Sequence, residues 1–159
     1  MNELTQEFVR TLFDYKDGKL YWKKSYNAYI GKEAGWINKR GYRYIEINGK
    51  AYFTHRLVFL CHHGYFPLET DHINGKRDDN RIENLREATR SENCKNTRTR
   101  KDNKLGVKNV YYHKASNKYC VRIQHNKQKY EQYVDSLELA ELVALEMRTK
   151  YHKEFAKHD

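Results

Sequence analysis

Apolar positions along this chain repeat with two different periods, and the switches between them mark out its elements. Near the start, Phe8, Leu12 and Phe13 share one face of a helix expected over roughly Thr5 to Phe13, and Asp17-Gly18 predicts a turn after it. From Leu20-Tyr21-Trp22 the period shortens to two. Gly35-Trp36-Ile37, Tyr42 to Ile47 and Ala51-Tyr52-Phe53 read as strands, and Asn48-Gly49 between the last two predicts a tight hairpin turn. Helical spacing returns over His55 to His63, with Leu57, Val58, Leu60 and Cys61 turned toward a core, and the single proline, Pro67, closes that helix's exit.

The next stretch is short and polar. Thr70-Asp71-His72-Ile73 is extended, Asn74-Gly75 is a turn, and the loop through Asp79-Asn80 carries no apolar residue after Ile73. Ile82 to Leu85 follows, then Thr89-Arg90-Ser91-Glu92 has the form of a capping box, which starts a helix at Ser91 and puts Asn93 in its first turn. Residues 94–105 lose all apolar periodicity. Beyond them the pattern reads β-β-β-α: strands over Val107 to Lys114, Tyr119 to Gln124 and Lys129 to Val134, then a helix capped by Asp135 or Ser136. In that helix Ala140, Val143, Ala144, Met147 and Tyr151 fall on one face. It is expected to cover Tyr119, Val121 and Ile123 and to leave Arg122 and Gln124 outward.

Composition limits the partners. Thirty-one Lys and Arg against 21 Asp and Glu give a net charge of +10 over 159 residues, with a pI near 9.4, and such a balance favours a polyanion such as nucleic acid. A mean hydropathy of -1.08 implies modest cores, two small ones rather than one large. No apolar run approaches the ~20 residues that span a bilayer, so a membrane role is excluded. Three widely spaced cysteines, Cys61, Cys94 and Cys120, with no secretory leader, predict free thiols in a reducing, cytoplasmic compartment and a protein that is not secreted. No paired CxxC motif is present, so no structural zinc is expected. Cys61-His62-His63 does not provide one, because consecutive helical positions point about 100° apart.

The stretch Asp71 to Asn96 carries the chemistry. A phosphodiester repels nucleophiles and has a poor leaving group, so cutting it takes a cation and a base. Asp71 and Asn93 can hold the cation, and His72 can be the base. Each has a duller explanation when taken singly: a structural imidazole, a turn or cap asparagine, a surface acid. With Asn84, four of them stand in one register, and that register is what points to chemistry.

This segment resembles the HNH, or ββα-metal, nuclease motif in the form whose last histidine is asparagine. His72 matches the first position, Asn84 the second and Asn93 the last. Gly41-Tyr42, Ile47-Asn48-Gly49-Lys50, His55-Arg56-Leu57-Val58, Gly64-Tyr65-Phe66-Pro67 and Asp79-Asn80-Arg81 extend the resemblance to HNH homing endonucleases of bacteriophages. The resemblance implies that His72 activates water, that Asp71 and Asn93 bind one divalent ion, and that Asn84 ties the loop together. It also implies products with 3′-hydroxyl and 5′-phosphate ends. The oxygen ligands favour Mg²⁺ or Mn²⁺ over zinc. Arg81 is expected to contact phosphate, with Asn80 as its loop partner, and His55 and Arg56 to support the site.

The C-terminal part resembles the plant APETALA, or ethylene-response-factor, DNA-binding domain through Gly106-Val107-Lys108, Lys118-Tyr119-x-Val121-x-Ile123 and the Leu137 to Phe155 helix with Phe155-Ala156. Tyr119 replaces the usual tryptophan, and Tyr133-Val134 the usual Leu-Gly. The resemblance implies a three-stranded sheet whose free face enters the major groove, with Lys108, Arg122 and Gln124 contacting DNA. Arg98, Arg100 and Lys101 of the basic stretch read either as a solvated tail or as a strap on phosphates.

The expectation is therefore an α+β chain: a β-rich nuclease domain over 1–96 ending in the ββα-metal motif, a basic linker over 97–105, and a domain over 106–159 with a three-stranded antiparallel sheet packed on one helix. Its function is metal-dependent cleavage of double-stranded DNA, as a nickase or double-strand cutter, by a monomer in the cytoplasm of a phage's host. The alternative is a non-catalytic, regulatory DNA-binding protein that keeps the HNH scaffold.

Overall fold

The computed structural model describes residues 4–23, 30–97, 99 and 102–156. The chain forms two compact units, Met1–Arg90 and Ser91–Asp159, built from several small antiparallel sheets and four α-helices among the described residues.

The first unit opens with α1 (Gln6–Leu12), which starts where the Thr5 hydroxyl accepts a hydrogen bond from the Phe8 N–H. Its buried residue is Val9, and Phe8 is 38% exposed. The apolar face of this helix is therefore carried by Val9 and Leu12, because a helix of two turns aims only about one position per turn at the core. The helix ends one residue earlier than its apolar spacing predicts. Phe13 is already extended and begins β1 (Phe13–Lys16), a strand that its mixed pattern did not announce. The turn Asp17-Gly18, both with positive φ, returns the chain as β2 (Lys19–Trp22).

Strands β3 (Trp36–Ile37), β4 (Arg43–Ile47) and β5 (Lys50–Phe53) form an antiparallel sheet in that order. Asn48-Gly49 is the hairpin turn, both residues at positive φ. Alternation sends Ile45 and Ile47 inward, where they meet Leu57, Val58 and Leu60 of α2 (Thr54–His63). Gly64 ends α2 in the left-handed conformation. At that end the Cys61 carbonyl accepts hydrogen bonds from Gln6 Nε2 at 2.9 Å and Arg10 Nη2 at 2.6 Å, so α1 satisfies a carbonyl that the helix itself leaves unpaired.

Then come β6 (Glu69–His72) and β7 (Leu85–Ala88), a two-stranded antiparallel ribbon in which Asp71 faces Arg86 and His72 faces Leu85. A 3₁₀ turn, Ile82–Asn84, precedes β7. Helix α3 (Arg90–Lys95) follows, one residue earlier than the capping box predicts, and spans the division between the units.

In the second unit β8 (Val110–His113), β9 (Lys118–His125) and β10 (Gln128–Val134) form a sheet with β9 in the middle. The first strand begins three residues later than its apolar spacing suggests, because Asn109 takes positive φ and the Val110 N–H bonds back to the Val107 carbonyl. Helix α4 (Leu137–His152) is capped by Ser136, whose hydroxyl accepts from the Leu139 N–H. Ala140, Val143 and Ala144 are buried with Val110, Val121 and Val134. Arg148 and His152 are buried too, which the apolar pattern gave no reason to expect. Arg148 donates to the Lys108 carbonyl at 2.9 Å and ties the helix to the segment leading into β8.

Candidate active site and nucleic-acid interface

Asp71 and His72 are adjacent on β6, and both are buried, at 4% and 5% exposure. A buried carboxylate needs a partner, and the ribbon supplies one directly across the ladder: Arg86 Nε and Nη2 both lie 2.8 Å from Asp71 Oδ2. Nothing in the spacing of the motif singles out Arg86. Its role follows from the strand register alone.

The His72 Nε2 lies 2.9 Å from Asn80 Oδ1, in a buried contact. A carboxamide oxygen only accepts, so Nε2 carries the hydrogen and Nδ1 carries the basic lone pair. Burial pushes the His72 pKa below the ordinary histidine value, against the opposing pull of the Asn80 bond and of the Asp71 charge. The ring is thus neutral at physiological pH, the state a base requires. Two further rings bear on it: His55 stands edge-on at 4.9 Å between centroids, and Tyr42 is 6.2 Å away. His55 is itself buried, and burial together with the neighbouring His72 and Arg56 pushes its pKa down to about 3. Arg56 is engaged elsewhere, donating to the Pro67 carbonyl at 3.0 Å and lying over the Phe66 ring at 5.4 Å.

The loop between β6 and β7 is held by asparagine side chains. Asn84 Oδ1 accepts from the Asn74 N–H at 3.0 Å, and Asn84 Nδ2 donates to the Asp79 carbonyl at 2.7 Å and to Asn74 Oδ1 at 3.1 Å. Asp79 in turn pairs with Arg81 through both carboxylate oxygens at 2.8 Å, which holds the Asp79 carboxyl well below the usual range. Arg81 is therefore engaged by a carboxylate within the loop while half of its side chain stays exposed.

The β1–β2 hairpin supports this loop from outside the motif. The Tyr15 hydroxyl accepts from the Ile82 N–H at 3.0 Å. A Cβ on Gly18 would fall 2.6 Å from the Arg81 nitrogen and 2.9 Å from the Asn80 carbonyl carbon. Only glycine allows the two backbones to approach so closely.

Asn93 lies on α3 in the second unit, half-buried. Among the described residues no group of three or more His, Cys, Asp or Glu side chains converges as a metal site. Asp71 and Asn93, the ligands expected from the motif, would each offer oxygen, the donor that suits a magnesium-like ion.

Among the candidate DNA contacts, Arg98, Arg100 and Lys101 lie outside the described residues. Lys108 donates to the Lys95 carbonyl at 2.8 Å and the Thr97 carbonyl at 2.5 Å. Arg122 and Gln124 are exposed on the sheet face away from α4. Arg122 bonds Glu131 on the next strand at 2.5 Å and the Tyr111 hydroxyl at 2.6 Å, with its guanidinium over the Tyr111 ring. Cys120 shares this face yet is fully buried, flanked in register by Tyr111 and Tyr133. All three cysteines are free thiols. No described helix is long and apolar enough to cross a membrane.

Residues 52–95 match the family model described as HNH endonuclease. That span runs from β5 through α2, β6 and β7 to the end of α3, and so includes Asp71, His72, Asn84 and Asn93. The match supports a nuclease that acts on DNA, of a kind that generally uses a divalent metal. No curated protein and no solved structure matches the chain.

Proposed function

We propose that this protein is a metal-dependent DNA endonuclease, similar to the HNH homing endonucleases of bacteriophages. The observation that carries the reading is the His72–Asn80 hydrogen bond beside Asp71, inside the matched segment. With Nε2 donating to Asn80, a neutral imidazole would use Nδ1 to accept a proton from water, which supports the role of base.

In this reading His72 takes the proton of the attacking water. Asn80 is the positioning residue for its ring, and Asn84 is the positioning residue for the loop. Asp71 and Asn93 would hold one divalent ion, Mg²⁺ or Mn²⁺, through oxygen. When bound, the ion supplies charge for the leaving oxygen and orients the scissile phosphate. Arg86 aims the Asp71 carboxylate. His55 and Arg56 support the site. Residues 1–96 form the nuclease domain, and 97–105 a basic linker whose Arg98, Arg100 and Lys101 lie on phosphates. Residues 106–159 form an APETALA-like module that presents Arg122 and Gln124 to bases and Lys108 to the backbone. With one site per chain, a monomer nicks a single strand.

The deep burial of Asp71 and its engagement by Arg86 favour a second reading, a non-catalytic DNA-binding protein that keeps the HNH scaffold. Incubation of the purified protein with a random-sequence duplex library, followed by capture and sequencing of new ends, separates the two. New 5′-phosphate ends that require Mg²⁺ or Mn²⁺ and vanish in EDTA support the nuclease. Bound but intact DNA in every metal supports the scaffold.

A further inference from the structure

Two basic turns meet beside the candidate site. Lys39-Arg40 lies between β3 and β4, Lys76-Arg77 lies in the loop between β6 and β7, and all four residues are exposed. Arg77 Nη1 joins the turns by donating to the Arg40 carbonyl at 2.9 Å. The Arg77 guanidinium stands over the Tyr42 ring, 5.0 Å from its centroid. That ring in turn lies 6.2 Å from His72 and 5.7 Å from His55, centroid to centroid.

The neighbouring arginines are held by acids. Arg86 pairs with Asp71, Arg81 with Asp79, and Arg43 with both Glu33 and Asp78. Both acids of the β6–β7 loop are therefore taken, and Arg77 has no carboxylate partner among the described residues. Its carbonyl contact uses one N–H of the five that a guanidinium offers. The stack on Tyr42 holds the planar fork in place beforehand, so less side-chain freedom is lost when a ligand binds. Such a fork matches the oxygens of a carboxylate or a phosphate. Position decides between them, because the ring beyond Tyr42 is that of His72, whose substrate in the nuclease reading is a phosphodiester.

Resting on that reading, we infer that Arg77, held on Tyr42, binds a backbone phosphate of the DNA strand that passes His72, next to the scissile one. Arg77 is then a positioning residue. It grips the strand and reads no bases.

The first test needs no cleavage and uses the full chain in EDTA with a duplex recovered from the random-sequence library. Affinity is measured against salt for the parent, Arg77→Gln and Arg77→Lys, with melting curves to check that each is folded. Losing one phosphate contact makes the log–log slope of Arg77→Gln shallower by about 0.9, and Arg77→Lys restores it. A slope unchanged in Arg77→Gln, or not restored by Arg77→Lys, overturns the contact. Selection with Arg77→Gln is expected to return the parent's sequences, and altered sequences would reassign Arg77 to bases. Ethylation interference then finds the phosphate whose neutralisation weakens the parent but not Arg77→Gln. A phosphate adjacent to the cut in Mg²⁺ supports the inference, and one farther along the duplex overturns it. The two readings fail separately: cutting with an unchanged slope removes the Arg77 contact and keeps the nuclease, while a lost slope without cutting in any metal does the reverse.

Discussion

His55 and His72 touch, yet the protein holds both neutral, and the cost of doing so is readable as a pH dependence. His55 has a pKa pushed down to about 3 by burial, against roughly 6.5 in the unfolded chain. Above pH 6.5 it is neutral in both states and contributes nothing. As pH falls from there toward 3, the unfolded chain binds a proton that the folded protein does not, so stability declines by up to about 1.4 kcal/mol per pH unit. A His55→Phe variant is expected to flatten that decline in urea titrations at pH 7, 6 and 5, and parallel declines in both proteins would remove His55 as the cause. Asn84→Ala leaves the Asn74 N–H and the Asp79 carbonyl without their side-chain partner. About 1–3 kcal/mol is expected for each buried group left unmet, and a melting curve within 1 °C of the parent would contradict the tie. At this scale the HNH segment was legible as a resemblance, and residues 52–95 match that family's model. Arg86 was not, since its pairing with Asp71 exists only once a strand register is fixed. Asn80 was legible as a loop hydrogen-bonding residue, but its contact with the His72 ring needed the folded loop.

The elements explain why a motif of short pieces holds one geometry. The hairpin turn at Asn48-Gly49, helix α2 and the β-β-β-α order of the second unit all follow from patterns that local chemistry fixes: paired positive-φ residues, apolar helical spacing, period-two alternation. Strand β1 was illegible because Phe13-Asp14-Tyr15-Lys16 continues a helical apolar face while also alternating, and only pairing with β2 decides between the two. Its consequence is functional, for the turn of that hairpin lies against the backbone of Asn80 and Arg81. Gly18→Ala adds a side chain at positive φ and within 3 Å of that backbone. The variant is expected to lose more than 1 kcal/mol of stability and to disturb His72. The imidazole nitrogen shifts in NMR report the second effect, and an unchanged His72 spectrum would mean that the hairpin does not support the loop.

Over the whole molecule, a charge of +10 accompanies two units, each with its own small core. Binding to duplex DNA is expected to weaken with salt, the log–log slope being about −0.9 for each phosphate contacted. A flat plot would separate the charge from DNA altogether. Charge and composition pointed to a polyanionic partner from the sequence. The proposed role of His72 is that of the base in a DNA-cutting site. It is tested most directly by single-turnover cleavage of a substrate selected from the random-sequence library, comparing the parent with His72→Ala at matched DNA occupancy in Mg²⁺. The variant is expected to bind within about twofold of the parent, keep its melting temperature and cut at least 10²-fold more slowly. Cleavage at the parent's rate would contradict it.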